Sequence, residues 1–194
     1  MNKVGIFSGT FDPVHSGHIA FALQAMSEAN LDYVYFMPEI QTKNKIGVVH
    51  YGHRVAMLKR ALSPHPKLKI LETHHINFTI ANTWPLLKKN FKDAKLYFLF
   101  GSDHYPELLS WPNIVKLTSQ SGLIIGIRKD DQVRLKPLIN LAKDPDTLFI
   151  NSYLPLVSSS DIRLAINTNK NDQSGLLSSV SKYCNKNWLY VSFK

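Results

Sequence analysis

His15 and His18 stand three residues apart in the run GTFDPVHSGH, residues 9–18. The run joins an apolar, strand-like stretch, residues 3–8, to a helix-forming stretch, residues 19–29. A helix starting at such a junction leaves its first backbone N–H groups unpaired, and those amides attract anions. If the helix begins near Ser16, both imidazoles face the same anion, and each can donate a hydrogen bond to a phosphate oxygen. Gly9 gives the chain freedom to turn directly after the strand, and Gly17 lets a ligand approach the helix start. The Thr10 hydroxyl is a further donor. Asp12 suits fixing the loop better than binding an anion. The patterns GxxxxGK[ST] and GxGxxG are both absent, so this is a different kind of phosphate loop.

A second candidate cluster is VSSSDIR, residues 157–163. One of Ser158, Ser159 and Ser160 can cap the helix expected over 160–167, leaving other hydroxyls and amides for phosphate. Arg163, one turn along, carries a fork that binds phosphate through two bonds. Alone, this run reads more readily as an ordinary capped helix with a surface Arg; the histidine loop reverses that. Gly101, Ser102 and Asp103 follow the most apolar strand, KLYFLF, and Asp103 can accept from ribose hydroxyls or cap a turn. Lys43 and Lys45 lie in an aperiodic segment, residues 39–50, and are candidates for a phosphate clamp. Trp84 and Trp111 can stack on a flat ring or fill core equally well.

These residues must be positioned by elements that the periodicity supplies. Strands are expected over 3–8, 32–37 (ended by Pro38), 68–72, 95–100, 122–127 and 147–151. Helices are expected over 19–29 (Ile19, Leu23 and Met26 inward), 51–62, 79–89, 105–110, 112–119, 132–142, 160–167 and 174–186. Strands alternating with helices specify an α/β, Rossmann-like open parallel sheet with helices on both faces. In such sheets ligands collect beyond the carboxyl ends of the strands, where the candidate residues fall.

The 194 residues suit one domain, and the single cysteine, Cys184, excludes an internal disulfide. No apolar run reaches the ~18 residues of a membrane helix, and the start lacks a signal-peptide pattern. A cytoplasmic chain with no membrane partner is expected. Lys and Arg total 23 against 14 Asp and Glu, a net charge of +9, which suits an anionic partner. The basic residues are dispersed, with no arginine-rich block, so nucleic acid is not expected as a partner.

The run GTFDPVHSGH resembles the (H/T)xGH signature of the nucleotidyltransferase superfamily, in the GTFDPxHxGH form of the bacterial nicotinate-nucleotide adenylyltransferase family. His53-Arg54-x-x-Met57-Leu58 is similar to that family's RxxML helix, GSDHYPELLSW (residues 101–111) to its GxD…W segment, and VSSSDIR to ISSTxIR. The tail Leu177-x-x-Val180-x-x-Tyr183…Leu189-Tyr190 is similar to its closing helix. The resemblance spans nearly the whole chain. It implies one nucleotidyltransferase domain over 1–194, with 158–194 as a helical part completing the ATP site.

The resemblance further implies transfer of AMP from ATP to nicotinate mononucleotide, giving deamido-NAD and pyrophosphate with Mg²⁺ as helper ion. His15, His18, Thr10 and Arg163 would be catalytic. Gly9, Phe11, Lys43, Lys45, Gly101, Asp103, Ser158, Ser159 and Ser160 would bind ATP. Thr79, Thr83, Trp84 and Trp111 would receive the pyridine nucleotide. The family's Ser-Tyr-Thr run reads Asn77-Phe78-Thr79 here, and its Arg-Pro-Gly after the fifth strand reads Arg128-Lys129-Asp130. Alternatives are another phosphorylated acceptor (nicotinamide mononucleotide or pantetheine phosphate) and a non-catalytic nucleotide- or RNA-binding protein of the same fold. Homo-oligomers stay open.

Overall fold

Apolar runs without alternation become strands covered on both faces. The computed structural model describes residues 1–41, 47–73, 78–102, 108, 110–127, 146–151, 157–168 and 174–191. Among these, β1 (Asn2–Gly9), β2 (Tyr33–Pro38), β3 (Leu68–Ile70), β4 (Ala94–Gly101), β5 (Gly122–Ile127) and β6 (Thr147–Asn151) form one sheet. Its order is β3-β2-β1-β4-β5-β6, and every neighbouring pair is parallel. β5 is buried at every position, as are the middles of β1 and β4. β1 lies between β2 and β4, so successive connections leave it in opposite directions. That switch point opens a crevice at the carboxyl ends of β1 and β4.

The helices α1 (Ser16–Ala29), α2 (Tyr51–Leu62), α3 (Ile80–Asn90), α4 (Ile114–Thr118), α5 (Ser159–Asn167) and α6 (Ser178–Lys186) flank the sheet. Two separate cores follow. One packs Phe21, Ala22 and Ala25 of α1, Met57 and Leu58 of α2, and Val180 and Cys184 of α6. The other packs Trp84 and Leu87 of α3 and Leu117 of α4 with Phe98 and Ile125. The open, doubly covered sheet expected from sequence is the observed fold.

Several boundaries differ from expectation. α1 starts at Ser16 rather than 19, because His15 takes extended dihedrals and serves as its N-cap. Its inner face is Ile19, Phe21, Ala22 and Ala25; Leu23 is 39% exposed. Small alanines let α1 lie close to the sheet, and the Phe21 ring lies over Gly126, where a Cβ would come within 2.7 Å of it. β2 extends through Pro38, which pairs with Gly9, and β3 stops at Ile70. The last helix begins at Ser178, not 174. The expected helix at 132–142 and most of that at 105–110 lie outside the described residues. Among the described residues no helix is long and apolar enough to cross a membrane.

Candidate active site at the end of the first strand

After β1 the chain turns at Phe11, which holds a left-handed φ of 52°. The turn expected at Gly9 comes two residues later, because β1 continues through Gly9, paired with Pro38. Phe11 is 2% exposed, edge-on to Phe7 at 5.4 Å and 5.3 Å from Phe36. Gly9 matters for space: a Cβ there would lie 3.1 Å from the Phe11 ring. Phe11 is thus the buried anchor of the loop.

His15 and His18 meet as expected. Their ring centroids are 3.7 Å apart at 30°. The His15 backbone N–H donates to His18 Nδ1 at 3.2 Å. A nitrogen that accepts carries no proton, so the His18 proton sits on Nε2. Phe11 packs edge-on against His18, with centroids 5.2 Å apart. Gly17 makes room for the His15 ring: a Cβ there would sit 3.0 Å from His15 Nδ1.

The loop is held from the far end of the chain. Ser16 N–H, the first amide of α1, donates to Gly175 O at 2.9 Å, so the expected row of unpaired amides is shortened at its first member. Ser159 Oγ–H donates to Pro13 O at 3.0 Å, and Arg163 Nη1–H to Asp12 O at 2.7 Å. Arg163 Nη2–H donates to Ser160 Oγ at 3.2 Å. Ser158 caps α5, its Oγ accepting from Asp161 N–H at 3.1 Å. The serine run therefore fastens α5 to the loop: Ser158 is the cap, and the Ser159 hydroxyl is engaged by Pro13 O.

Asp12 is 2% exposed and receives the Tyr190 hydroxyl on Oδ1 at 2.6 Å. Burial pushes its pKa up; the Tyr190 bond, Arg163, the Val49 amide and Arg54 pull it back down. Arg54, 1% exposed, was passed over in the sequence as one more helix residue. Its guanidinium donates to Thr10 O at 2.8 Å, Ile40 O at 3.0 Å and Val49 O at 3.1 Å. It thereby ties the histidine loop to both flanks of the segment holding Lys43 and Lys45. Arg54 and Tyr190 are the residues that sequence reasoning missed. Their only sequence signal is membership of the RxxML and LY motifs.

The acceptor-side candidates lie on α3, which follows the carboxyl end of β3, and beside the end of β4. Thr79 caps α3, its Oγ1 accepting from Asn82 N–H at 3.2 Å, and Thr83 Oγ1 accepts from Thr79 N–H at 3.1 Å. Trp84 is 3% exposed and donates Nε1–H to Gln120 Oε1 at 3.3 Å, so of its two readings the structure places it in the core. Trp111 is half-buried against Phe78 and Phe100. Gly101 closes β4 at the switch point. Lys43, Lys45 and Asp103 lie outside the described residues.

Comparison with known proteins agrees with this geometry. The profile of the cytidylyltransferase-like family matches residues 6–165. The nicotinate-nucleotide adenylyltransferase of Bacillus subtilis is 32% identical over 200 residues, covering 99% of this chain and all of that protein. The structure of Plasmodium falciparum nicotinic acid mononucleotide adenylyltransferase complexed with NaAD superposes with a TM-score of 0.80 at 22% identity, covering 98% of both chains. The same enzyme complexed with APC gives 0.77 at 22% identity, again over 98% of both chains. The match of the profile over residues 6–165 and of a relative over nearly the whole chain places it in the cytidylyltransferase-like nucleotidyltransferases and, among them, in the nicotinate-nucleotide adenylyltransferase family.

Proposed function

We propose that the chain transfers AMP from ATP to nicotinate mononucleotide, giving deamido-NAD and pyrophosphate. The observation that carries this reading is the close His15–His18 ring pair at the switch point, with the His18 proton on Nε2. A phosphate oxygen of the mononucleotide attacks the α-phosphorus of ATP. The bond from that phosphorus to the bridging oxygen breaks, and pyrophosphate departs with the electron pair. The attacking phosphate has a second pKa of about 6, so it is mostly ionised at neutral pH and needs no strong general base. Positioning and neutralisation of charge then carry the catalysis.

In this reading His18 Nε2–H donates to the reacting phosphate, with the His15 ring against it and the Thr10 hydroxyl as a further donor. Arg163 already spends Nη1 and Nη2 on the loop and Ser160, so it acts by charge and its remaining N–H groups. The helical part from 158 completes the ATP site by bracing Asp12 and Pro13. Mg²⁺ shields the phosphate charges when bound. Among the described residues no three His, Cys, Asp or Glu cluster to cage an ion, and Asp12 Oδ1 is engaged by Tyr190. An ion carried by phosphates and water fits these residues.

The test is pyrophosphate release from ATP and Mg²⁺ across nicotinate mononucleotide, nicotinamide mononucleotide and pantetheine phosphate. Preference for the first supports the reading. Preference for either of the others redirects the acceptor, and silence with all three favours a binding protein.

A further inference from the structure

We propose that Tyr190 is a positioning residue for the histidine loop: its hydroxyl, through Asp12, holds the backbone that presents His18. The activity arm of this inference rests on the function proposed above. Tyr190 donates to Asp12 Oδ1 at 2.6 Å across 178 residues of sequence. Asp12 lies between Phe11, whose ring packs on His18, and His15, whose N–H fixes His18 Nδ1. A shift of Asp12 therefore disturbs both contacts that orient the same imidazole.

The tail is shaped for this contact. After α6 the chain takes left-handed φ values at Trp188 (52°) and Tyr190 (64°), unusual for aromatic residues. Such conformations persist only where the surroundings enforce them. Leu189 N–H donates back to Cys184 O at 3.0 Å, and the Leu189 side chain is buried. The turn thus brings the Tyr190 ring under the loop, where its hydroxyl also lies 4.0 Å from Met57 Sδ. Arg163 fixes the Asp12 carbonyl and Tyr190 fixes Oδ1, so loss of the Tyr190 hydroxyl removes one of two points that hold the Asp12 backbone in place and lets the loop shift about the other.

The experiment compares wild type with Tyr190→Phe, which removes one oxygen and keeps the ring. Long-range ¹H–¹⁵N spectra report which His18 nitrogen carries the proton. Wild type is expected to show one Nε2–H tautomer; in Tyr190→Phe the two nitrogen shifts move toward each other as tautomers interconvert. Turnover falls roughly 10- to 100-fold, the scale of a small misplacement, while the KM for ATP changes less. Asp12→Ala breaks the same pair from the other side and reproduces the nitrogen shifts if Tyr190→Phe does not fold. Asp12→Asn keeps an acceptor oxygen and leaves the His18 tautomer in place. Unmoved His18 signals in folded Tyr190→Phe or Asp12→Ala overturn the proposal, as do signals moved equally by Asp12→Asn. If wild type releases no pyrophosphate with any acceptor, the proposed function fails and the nitrogen spectra alone decide the role of Tyr190.

Discussion

The ring of His15 lies 3.7 Å from that of His18, over the one residue whose missing Cβ permits it, Gly17. Gly17→Ala sets two effects against each other. Alanine favours the helix by up to ~1 kcal/mol. The new Cβ would sit 3.0 Å from His15 Nδ1, so the ring must move. The expected result is a melting temperature close to wild type and turnover at least roughly tenfold lower, through displacement of a reacting group. Thermal melts beside pyrophosphate release check it; full turnover counts against the cradle.

Arg54 is the second point of leverage. Its guanidinium satisfies three carbonyls from two loops, and lysine cannot reach three acceptors in that fork geometry. Arg54→Lys is expected to cost about 2 kcal/mol, since partly buried carbonyls lose their donors. Urea unfolding measures the loss, and a change below about 1 kcal/mol would show that the carbonyls find other partners.

Two caps make a matched pair. Ser158 Oγ accepts from Asp161 N–H and Thr79 Oγ1 from Asn82 N–H. Ser158→Ala and Thr79→Ala should each lower stability by ~1 kcal/mol in urea unfolding. No loss at either would mean that the cap amide is served equally well by water.

Cys184 is fully buried, and burial pushes its thiol up to about 12. At pH 8 about one thiol in 10⁴ would be ionised, so alkylation of the folded protein is expected to follow unfolding, not side-chain chemistry. The sign for stability follows. The folded pKa exceeds the unfolded value, so the contribution is present below pH 9 and is lost as pH rises toward 12. Burial pushes the Tyr190 hydroxyl up as well, in the same direction. Urea midpoints falling above pH 9, with slow alkylation at pH 8, are the expected outcome; rapid native alkylation contradicts it.

The sheet was legible because parallel, doubly covered strands such as KLYFLF and GLIIGI leave an unbroken apolar signature. The histidine loop was legible because its chemistry is local: two rings three residues apart at a strand–helix junction. The braces were not. Arg54 carries its sequence signal only within the RxxML resemblance, and only the folded chain brings it to Thr10, 44 residues away. Tyr190 reads as tail, although it touches Asp12. Ile19 and Met26 of α1 pack on the core as expected, but Leu23 does not; a pattern of hydrophobicity ranks it above Ala22 and Ala25. In packing against a flat sheet, the alanines decide how close the helix lies. Trp84 offers the converse case, a ring-stacking candidate whose indole the fold uses as core.

Label transfer from α-³²P ATP to nicotinate mononucleotide, run on wild type and His18→Ala in parallel, reaches the histidine cradle most directly. Removing one well-placed donor to a developing charge typically slows catalysis by roughly 10²–10³-fold. Wild type should carry the label into deamido-NAD, and folded His18→Ala should do so more slowly by about that factor. Equal rates in the two proteins, or label that stays in ATP with wild type, would contradict the account.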